Sequence, residues 1–389
     1  MLAYNRGLLD NTFLLAEAES LKRGGFINTK QLDFMEERLP AYHTQSNLLI
    51  RIGLFILGCF LFSSCCGTLS LFFMEAGRLG WSLNLLLFTA FGFIITELLI
   101  GNRKYFGNGA DDAFLLCSQL SLGGFIFYQG MDQEIIFPAL LTFAIVGVVC
   151  CIRYVDSLSA LLACLSITGF VAERLIVVGD SGKLLLPFVL MVLAAGMYYM
   201  HIFLKRKNNL YYRKSLLALS VFSMILFYLA GNYLIVREGT ILLLGSAILS
   251  GGDIPFAFLF YTFTFLIPVG YIFFSLKQQN RQMLWAGFAS LGFSIFTVRH
   301  YYQIIPVEVA LIGGGLLLLT FALLSMRALK GKPTGLTFES DRLQHTDTLL
   351  DMEALAVIQS FAVKPARNTD SGHDFGGGSF GGGGGGGTF

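Results

Sequence analysis

The stretch LLIRIGLFILGCFLFSSCCGTLSLFF, residues 48–73, decides the fold. It is apolar almost throughout and contains one charged residue, Arg51. About 20 apolar residues, at a rise of roughly 1.5 Å each, cross the ~30 Å hydrocarbon core of a bilayer as a helix. The stretch lacks the alternation of apolar and polar residues that is typical of an outer-membrane strand. It therefore predicts a transmembrane helix.

Nine further stretches of this kind follow in the region 47–327, which predicts an all-α, polytopic transmembrane helical bundle of about ten spans. The predicted spans are 48–73, 81–100, 113–128, 135–152, 157–178, 184–204, 215–236, 255–276, 283–298 and 305–326. The stretch 240–250 is also apolar, but it is too short to cross a bilayer. We interpret it as re-entrant or interfacial.

The composition agrees with a membrane location. Hydrophobic residues make up 55% of the chain, charged residues make up 13%, and the mean hydropathy is +0.68, so a water-soluble fold would leave much apolar surface exposed. The net charge is +2 and no basic tract is present, so nucleic acid is not expected as a partner. The expected partner is the lipid bilayer. The sequence does not indicate an oligomeric state.

Positive charge alternates between the connectors, as it does when basic loops are retained in the cytoplasm. With the N-terminus inside, ten basic residues are cytoplasmic: Arg103, Lys104, Arg153, Lys205, Arg206, Lys207, Arg213, Lys214, Lys277 and Arg281. Four lie on the opposite side: Arg78, Lys183, Arg237 and Arg299. The pattern predicts a multi-pass membrane protein with both termini in the cytoplasm.

Three regions lie outside the predicted spans. Residues 1–46 are expected to form a cytoplasmic helical hairpin, with helices from about Leu9 to Lys22 and from Asn28 or Thr29 to before Pro40. Residues 328–374 are expected to hold a linker and an amphipathic helix at about 346–363. Residues 375–389 form a Gly/Phe tail that we expect to be disordered.

Two segments resemble known families. SLKRGGFINTKQLDFMEERL (residues 20–39), followed by a long run of spans, resembles the start of uncharacterised bacterial membrane-protein families that are classified as domains of unknown function. The terminal FGGGSFGGGGGGGTF (residues 375–389) resembles the tails of TPM-domain membrane proteins, although the chain contains no TPM domain. Neither resemblance implies an activity or a catalytic residue. The tail is either a docking segment for a protein partner or a solvated linker.

Ionisable residues deep in a membrane are costly and mark functional sites by default. The candidates here are Glu97, Glu173, Arg174 and Asp253. Arg51, in the first turn of its span, is expected to extend to the interface, and Glu97 is within reach of Arg103 or Lys104.

Glu173 and Arg174 lie deeper than Glu97. We interpret them as a structural ion pair between spans, with a proton or substrate site as the alternative. Asp253 follows Gly251-Gly252, a pattern typical either of a discontinuous transporter helix or of an ordinary connector with an aspartate cap. We favour the connector.

The sequence contains no recognisable enzyme signature. Its five histidines are scattered, no HExxH, GxSxG or P-loop motif occurs, and we expect no catalytic residue, cofactor or metal ion. We therefore favour a non-enzymatic scaffold or regulator that acts through its cytoplasmic ends. A small-molecule transporter with two five-span halves is the alternative. A membrane-embedded lipid-modifying enzyme would need converging polar residues near one interface, which the sequence does not indicate.

Overall fold

The computed structural model describes residues 2–23, 25–45, 47–73, 75–129, 136–207, 210–245, 253–278 and 280–302, with isolated positions between 312 and 327. Over these residues the fold is all-α. The helices are α1 Arg6–Arg23, α2 Thr29–Arg38, α3 Leu48–Ser70, α4 Gly77–Gly101, α5 Ala110–Gln129, α6 Ile136–Tyr154, α7 Ser157–Val177, α8 Asp180–Arg206, α9 Arg213–Gly231, α10 Tyr233–Leu244, α11 Ala257–Gln278 and α12 Arg281–Tyr302.

Six of the described helices are long and apolar enough to cross a membrane. They are α3 with its 3₁₀ extension to Phe73, α4, α7, α8, α9 and α11. Large side chains on these and neighbouring helices, such as Phe60, Val192 and Trp285, are more than 70% exposed, an arrangement that suits lipid and would be costly in water. The helical membrane fold is thereby supported.

The count of ten spans is not confirmed. Helices α5, α6 and α12 occur where spans were predicted but do not meet the same criterion, and the apolar part of α6 is the shorter segment Pro138–Tyr154. The tenth predicted span, 305–326, lies outside the continuously described residues, as do the predicted amphipathic helix and the Gly/Phe tail.

The predicted seventh span, 215–236, is two helices in the structure. Helix α9 ends at Gly231, Asn232 is extended, and α10 begins at Tyr233. The side chain of Asn232 accepts hydrogen bonds from the amides of Leu234 (3.0 Å) and Ile235 (3.4 Å), so it caps α10. The prediction of one continuous helix was wrong because a buried polar residue interrupts the apolar run.

The N-terminal hairpin forms as predicted. Asn28 and Gln31 make a capping box at the start of α2, in which each side chain accepts from the other residue's amide at 3.0 and 2.9 Å. Gly25 supplies the left-handed conformation (φ +75°) that ends the turn after α1.

Small residues allow neighbouring membrane helices to approach closely. A Cβ on Gly58 of α3 would lie 2.8 Å from the Cβ of Ala113 in α5, and a Cβ on Gly147 of α6 would lie 3.0 Å from the backbone of α7. Consecutive helices pack extensively in the pairs α4–α5, α6–α7, α8–α9 and α11–α12. This is the close packing that membrane helices use when lipid supplies no hydrophobic driving force between them.

One end of the bundle lies beneath the N-terminal residues. We call residues 2–45 the N-terminal cover, and we call residues 101–111, 153–159 and 210–215 the covered end. The connectors at this end are those that follow α4, α6 and α8. These three connectors are basic, and the sequence predicts that they lie on the same side of the membrane. The three connectors therefore share one end of the bundle, as the charge alternation requires.

Candidate functional site

Three aspartates are buried at the covered end. Asp111 lies in the first turn of α5 and accepts hydrogen bonds from the amides of Gly107 (2.9 Å), Asn108 (3.0 Å) and Gly109 (3.1 Å). Gly109 has φ +105°, and a Cβ there would collide with the carbonyl of Arg51, so this tight loop requires glycine. The loop is thus wrapped around one carboxylate.

Asp112, the next residue, forms an ion pair with Arg51 of α3. The Arg51 Nη2 lies 2.5 Å and its Nε 3.2 Å from the same carboxylate oxygen, and the Asp112 side chain is only 11% exposed. The sequence-based expectation that Arg51 extends to the interface is therefore incomplete, because its charge is used to neutralise a buried aspartate on another helix.

Asp156 caps the start of α7. Its carboxylate accepts from the amides of Leu158 (3.2 Å) and Ser159 (2.7 Å) and from the Ser159 hydroxyl (2.7 Å). The Ser159 hydroxyl in turn accepts from Nε2 of Gln119 at 2.7 Å, which extends the network two turns into α5.

Val155, just before Asp156, has φ +53°, a conformation that β-branched residues avoid. Its burial and the bonds of Asp156 hold this strained backbone in place.

The charges at this site do not balance locally. As whole residues, Asp111, Asp112 and Asp156 are each at most 8% exposed, and among the described residues Arg51 forms an ion pair with one of them, Asp112. Burial, and then the neighbouring Asp112, raises the pKa of Asp111 to about 6 and also raises the pKa of Asp156. In the described part of the chain, no group of three histidine, cysteine, aspartate or glutamate side chains is arranged to hold a metal ion.

Tyr4 of the N-terminal cover lies in the buried apolar cluster at this end of the bundle. The Tyr4 ring packs edge-on against Tyr42 (5.3 Å between centroids) and Phe106 (5.1 Å). Burial, followed by the charges of Asp111, Asp112 and Asp156, raises the pKa of Tyr4. The phenol is therefore neutral at physiological pH.

Backbone hydrogen bonds fasten the cover to the connector after α4 and to the end of α6. The amide of Ala3 donates to the carbonyl of Arg153 at 2.9 Å. His43 makes a short parallel bridge with Tyr105, in which the His43 amide donates to Lys104 (2.7 Å) and the Phe106 amide donates to His43 (3.2 Å). The cover is also packed on the bundle, because Tyr4, Leu9 and Tyr42 share one buried apolar cluster with residues of α4, α5 and α6.

A further contact joins the cover to the connector between α8 and α9. The hydroxyl of Tyr211 donates to Asp10 of α1, and the ring of Phe13 lies 5.8 Å from the Tyr211 ring. The neighbouring Tyr212 donates to the carbonyl of Ile152 in α6 at 2.8 Å. The cover thus contacts connectors from both predicted five-span halves.

Glu97 of α4 is the predicted candidate residue nearest to this end. It accepts from Arg153 of α6 (3.0 Å from Nε and 2.6 Å from Nη2) and from the Tyr154 hydroxyl (2.8 Å). Arg153 is therefore the cation that pairs with Glu97, whereas the sequence suggested Arg103 or Lys104 as its partner. The pair joins α4 to α6.

Glu173 and Arg174 form their ion pair within α7, with nitrogen–oxygen distances of 2.7 and 2.9 Å. This described contact joins two neighbours in one helix, and the expectation of a pair between spans stays a prediction. The Arg174 side chain is 46% exposed, so this pair is less buried than that of Arg51.

Asp253 lies away from the covered end, before α11. It accepts from the Tyr233 hydroxyl and from the Ile254 amide, both at 2.7 Å, and Tyr233 stacks on Tyr261 at 3.9 Å. Asp253 does not cap α11, which begins at Ala257. The apolar residues 246–250 before it lie outside the described residues.

The break at Asn232 centres a second buried polar cluster, which the sequence did not predict. Nδ2 of Asn232 donates to the Tyr228 hydroxyl (2.9 Å) and to Thr297 (3.1 Å). The Tyr228 hydroxyl contacts Ser294 at 2.9 Å, and Ser294 donates to the carbonyl of Thr264 at 2.5 Å. The cluster ties α9, α11 and α12 together. The sequence feature that indicates this cluster is an asparagine that directly follows Gly231 inside an apolar run.

The cluster of three buried aspartates was not predicted from the sequence either. The pair Asp111-Asp112 directly before an apolar run was visible, but the sequence contains no indication that Asp156 and Arg51 meet it. The structure therefore brings together polar residues that the sequence does not indicate as a cluster.

Comparison with known proteins adds no further assignment. No protein-family model, no curated protein and no solved structure matches the chain. The resemblances of residues 20–39 and 375–389 to families therefore stay predictions.

Proposed function

We propose that this chain is a ten-span protein of a bacterial plasma membrane, with the covered end in the cytoplasm, and that it acts as a non-enzymatic regulator through that end. The main support is the docking of residues 2–45 on the connectors after α4, α6 and α8. Because the cover is a continuous N-terminal segment outside the helices of the bundle, we expect that it can be exchanged for a protein partner while those helices stay folded.

Release of the cover tests this proposal. In Tyr4→Ala/Asp10→Ala, the aromatic contact and the hydrogen bond to Tyr211 are both lost, which should free the N-terminal segment. A proximity-labelling enzyme fused to the N-terminus should then label a different set of proteins in cells. Glu17→Ala, an exposed change on α1, is the matched control and should label the same set as the original chain. Identical sets for the released and control proteins would contradict regulation through the cover.

A small-molecule transporter is the second candidate, supported by the helix break at Asn232. An interrupted helix with buried polar groups is how many transporters build a substrate site. A transporter that alternates access exposes such a site to water from one side at a time. Ser294→Cys, in a cysteine-free background, should then react with a water-soluble maleimide, whereas a static scaffold leaves it unreactive from both sides. Phe60→Cys, an exposed residue on α3, serves as the lipid-facing control.

A further inference from the structure

Three tyrosines from three helices pack together at the end of the bundle opposite the covered end. Tyr233 of α10 stacks on Tyr261 of α11 at 3.9 Å and meets the ring of Tyr301 of α12 edge-on at 5.3 Å between centroids. Helix α9 leads here from the covered end over 19 residues, which at roughly 1.5 Å per residue is about the thickness of a hydrocarbon core. We therefore expect the tyrosines at the depth of a membrane interface, where such rings are enriched.

Arg237 of α10 lies on this cluster without a counter-charge. Its guanidinium carbon is 4.5 Å from the centroid of the Tyr301 ring, which places the cation over the face of the ring. Among the described residues, its buried Nε has no hydrogen-bond acceptor and no carboxylate forms an ion pair with it. Because a buried N–H group without an acceptor is costly, this guanidinium is suited to bind the oxygens of an anionic group.

The next residue, Glu238, holds a negative charge on the same tyrosine. Its Oε1 accepts a hydrogen bond from the Tyr301 hydroxyl at 2.6 Å, and the residue is exposed. The face of Tyr301 therefore carries the cation, and its hydroxyl anchors the anion. A ligand that pairs with both groups needs an anionic and a cationic group that are separated by a few bonds.

We propose that Arg237 and Glu238 bind the phosphoethanolamine headgroup of a membrane lipid, whose phosphate accepts from the Arg237 guanidinium and whose ammonium donates to the Glu238 carboxylate. Two carbons separate the ammonium from the phosphate ester oxygen in this headgroup, so both contacts can form at once. The planar N–H groups of arginine match phosphate oxygens. A headgroup with a phosphate and no cation would leave Glu238 unpaired and would be repelled by it.

Apolar surface beside the site favours a lipid over free phosphoethanolamine as the ligand. Leu242 of α10 and Phe258 of α11 are each 85% exposed. These two helices also carry Tyr233 and Tyr261. Apolar side chains with this much exposure are suited to contact acyl chains, whereas a soluble headgroup would leave them uncovered.

Native mass spectrometry of the full-length protein tests the site. The delipidated protein is mixed in detergent with equal amounts of phosphatidylethanolamine, phosphatidylcholine and phosphatidylglycerol that have the same acyl chains. We expect phosphatidylethanolamine to be retained about tenfold more than either competitor, because phosphatidylcholine has no N–H group to donate to Glu238 and phosphatidylglycerol has no cation. Soluble phosphoethanolamine at the same concentration should not displace the lipid, since it lacks the acyl chains.

Substitutions separate the two contacts. Arg237→Gln should reduce the retention of all three lipids about tenfold, because it removes the contact with the phosphate that they share, and Arg237→Lys should restore part of it. Glu238→Gln should keep binding lipid but lose the preference for phosphatidylethanolamine, and it serves if Arg237→Gln fails to fold. Lys183→Gln is the matched control, because this cation lies at the same end of the bundle and is already paired with Asp180 at 3.2 Å.

Equal retention of the three lipids by the original protein would overturn the inference, as would an unchanged preference in Glu238→Gln. Displacement of the lipid by soluble phosphoethanolamine at equal concentration would contradict a lipid as the ligand. The inference does not depend on the proposed regulatory role, because the N-terminal cover lies at the other end of the bundle.

Discussion

At the scale of single residues, the pair of Arg51 and Asp112 decides how charge is tolerated inside the bundle. Arg51 approaches Asp112 with two nitrogens, at 2.5 and 3.2 Å from one carboxylate oxygen. Replacing one partner of a buried ion pair lowers the free energy of unfolding more than replacing both, because the remaining charge is buried without a counter-charge.

Arg51→Met should therefore lower the free energy of unfolding by roughly 3 kcal/mol, visible as a lower melting temperature in detergent. The double variant Arg51→Met/Asp112→Leu should regain part of this loss. Lys183→Met is the control, because its partner Asp180 is 80% exposed and such pairs contribute little. Unchanged melting of Arg51→Met would refute the assigned role of the pair.

At the scale of elements, Asn232 shows how one side chain divides a helix. It caps α10 and at the same time bonds to Tyr228 and Thr297. The apolar run alone favours a continuous helix, but the alternative hydrogen bonds of this buried amide compete with it.

Asn232→Ala should destabilise the protein by about 1 kcal/mol for the lost cap, with a further ~1–3 kcal/mol for the buried hydroxyls that lose a partner. Asn280→Ala removes a comparable cap from α12, where Asn280 accepts from Gln282 (3.1 Å) and Met283 (3.4 Å), without such a network. Thermal melts of the two variants measure the difference. Equal losses would indicate that the buried network adds nothing to the cap.

Close packing of α3 on α5 depends on Gly58. A methyl group there meets the Cβ of Ala113 and the backbone of Ala110, and backbone cannot move aside cheaply. Gly58→Ala should lose about 1–3 kcal/mol of stability. Gly67→Ala lies in the same helix with no atom within 4 Å of the added methyl, and should lose nothing. If both variants melt alike, α3 and α5 do not pack at Gly58 as described.

At the scale of the whole molecule, the proposed sidedness depends on where the basic connectors lie. The connectors after α4, α6 and α8 lie at the covered end, and basic loops are retained in the cytoplasm.

In a cysteine-free background, a membrane-impermeant maleimide applied to intact cells should label Ser181→Cys, at the opposite end of α8. It should reach Lys207→Cys only after the membrane is permeabilised. Both positions are exposed, so access to the reagent depends on the membrane alone. Labelling of Lys207→Cys in intact cells would reverse the proposed topology.

Much of the fold was predictable because its determinants are close in sequence. The capping box of Asn28 and Gln31 spans three residues, and the predicted helix start is confirmed there. Helices α3, α4, α7, α8 and α11 arise from single apolar runs and were predicted from them. The candidate site was predictable only in part: Glu97 was identified as a paired residue, but its partner Arg153 is 56 residues away.

The sequence by itself determined that the chain forms apolar helices suited to lipid, because hydropathy is summed over neighbouring residues and needs no knowledge of distant ones. Only the tertiary structure decided which charges meet. Arg51 and Asp112 are separated by 61 residues, and Asp10 and Tyr211 by 201. A buried charge requires a partner, and the packing of the helices decides which residue that partner is.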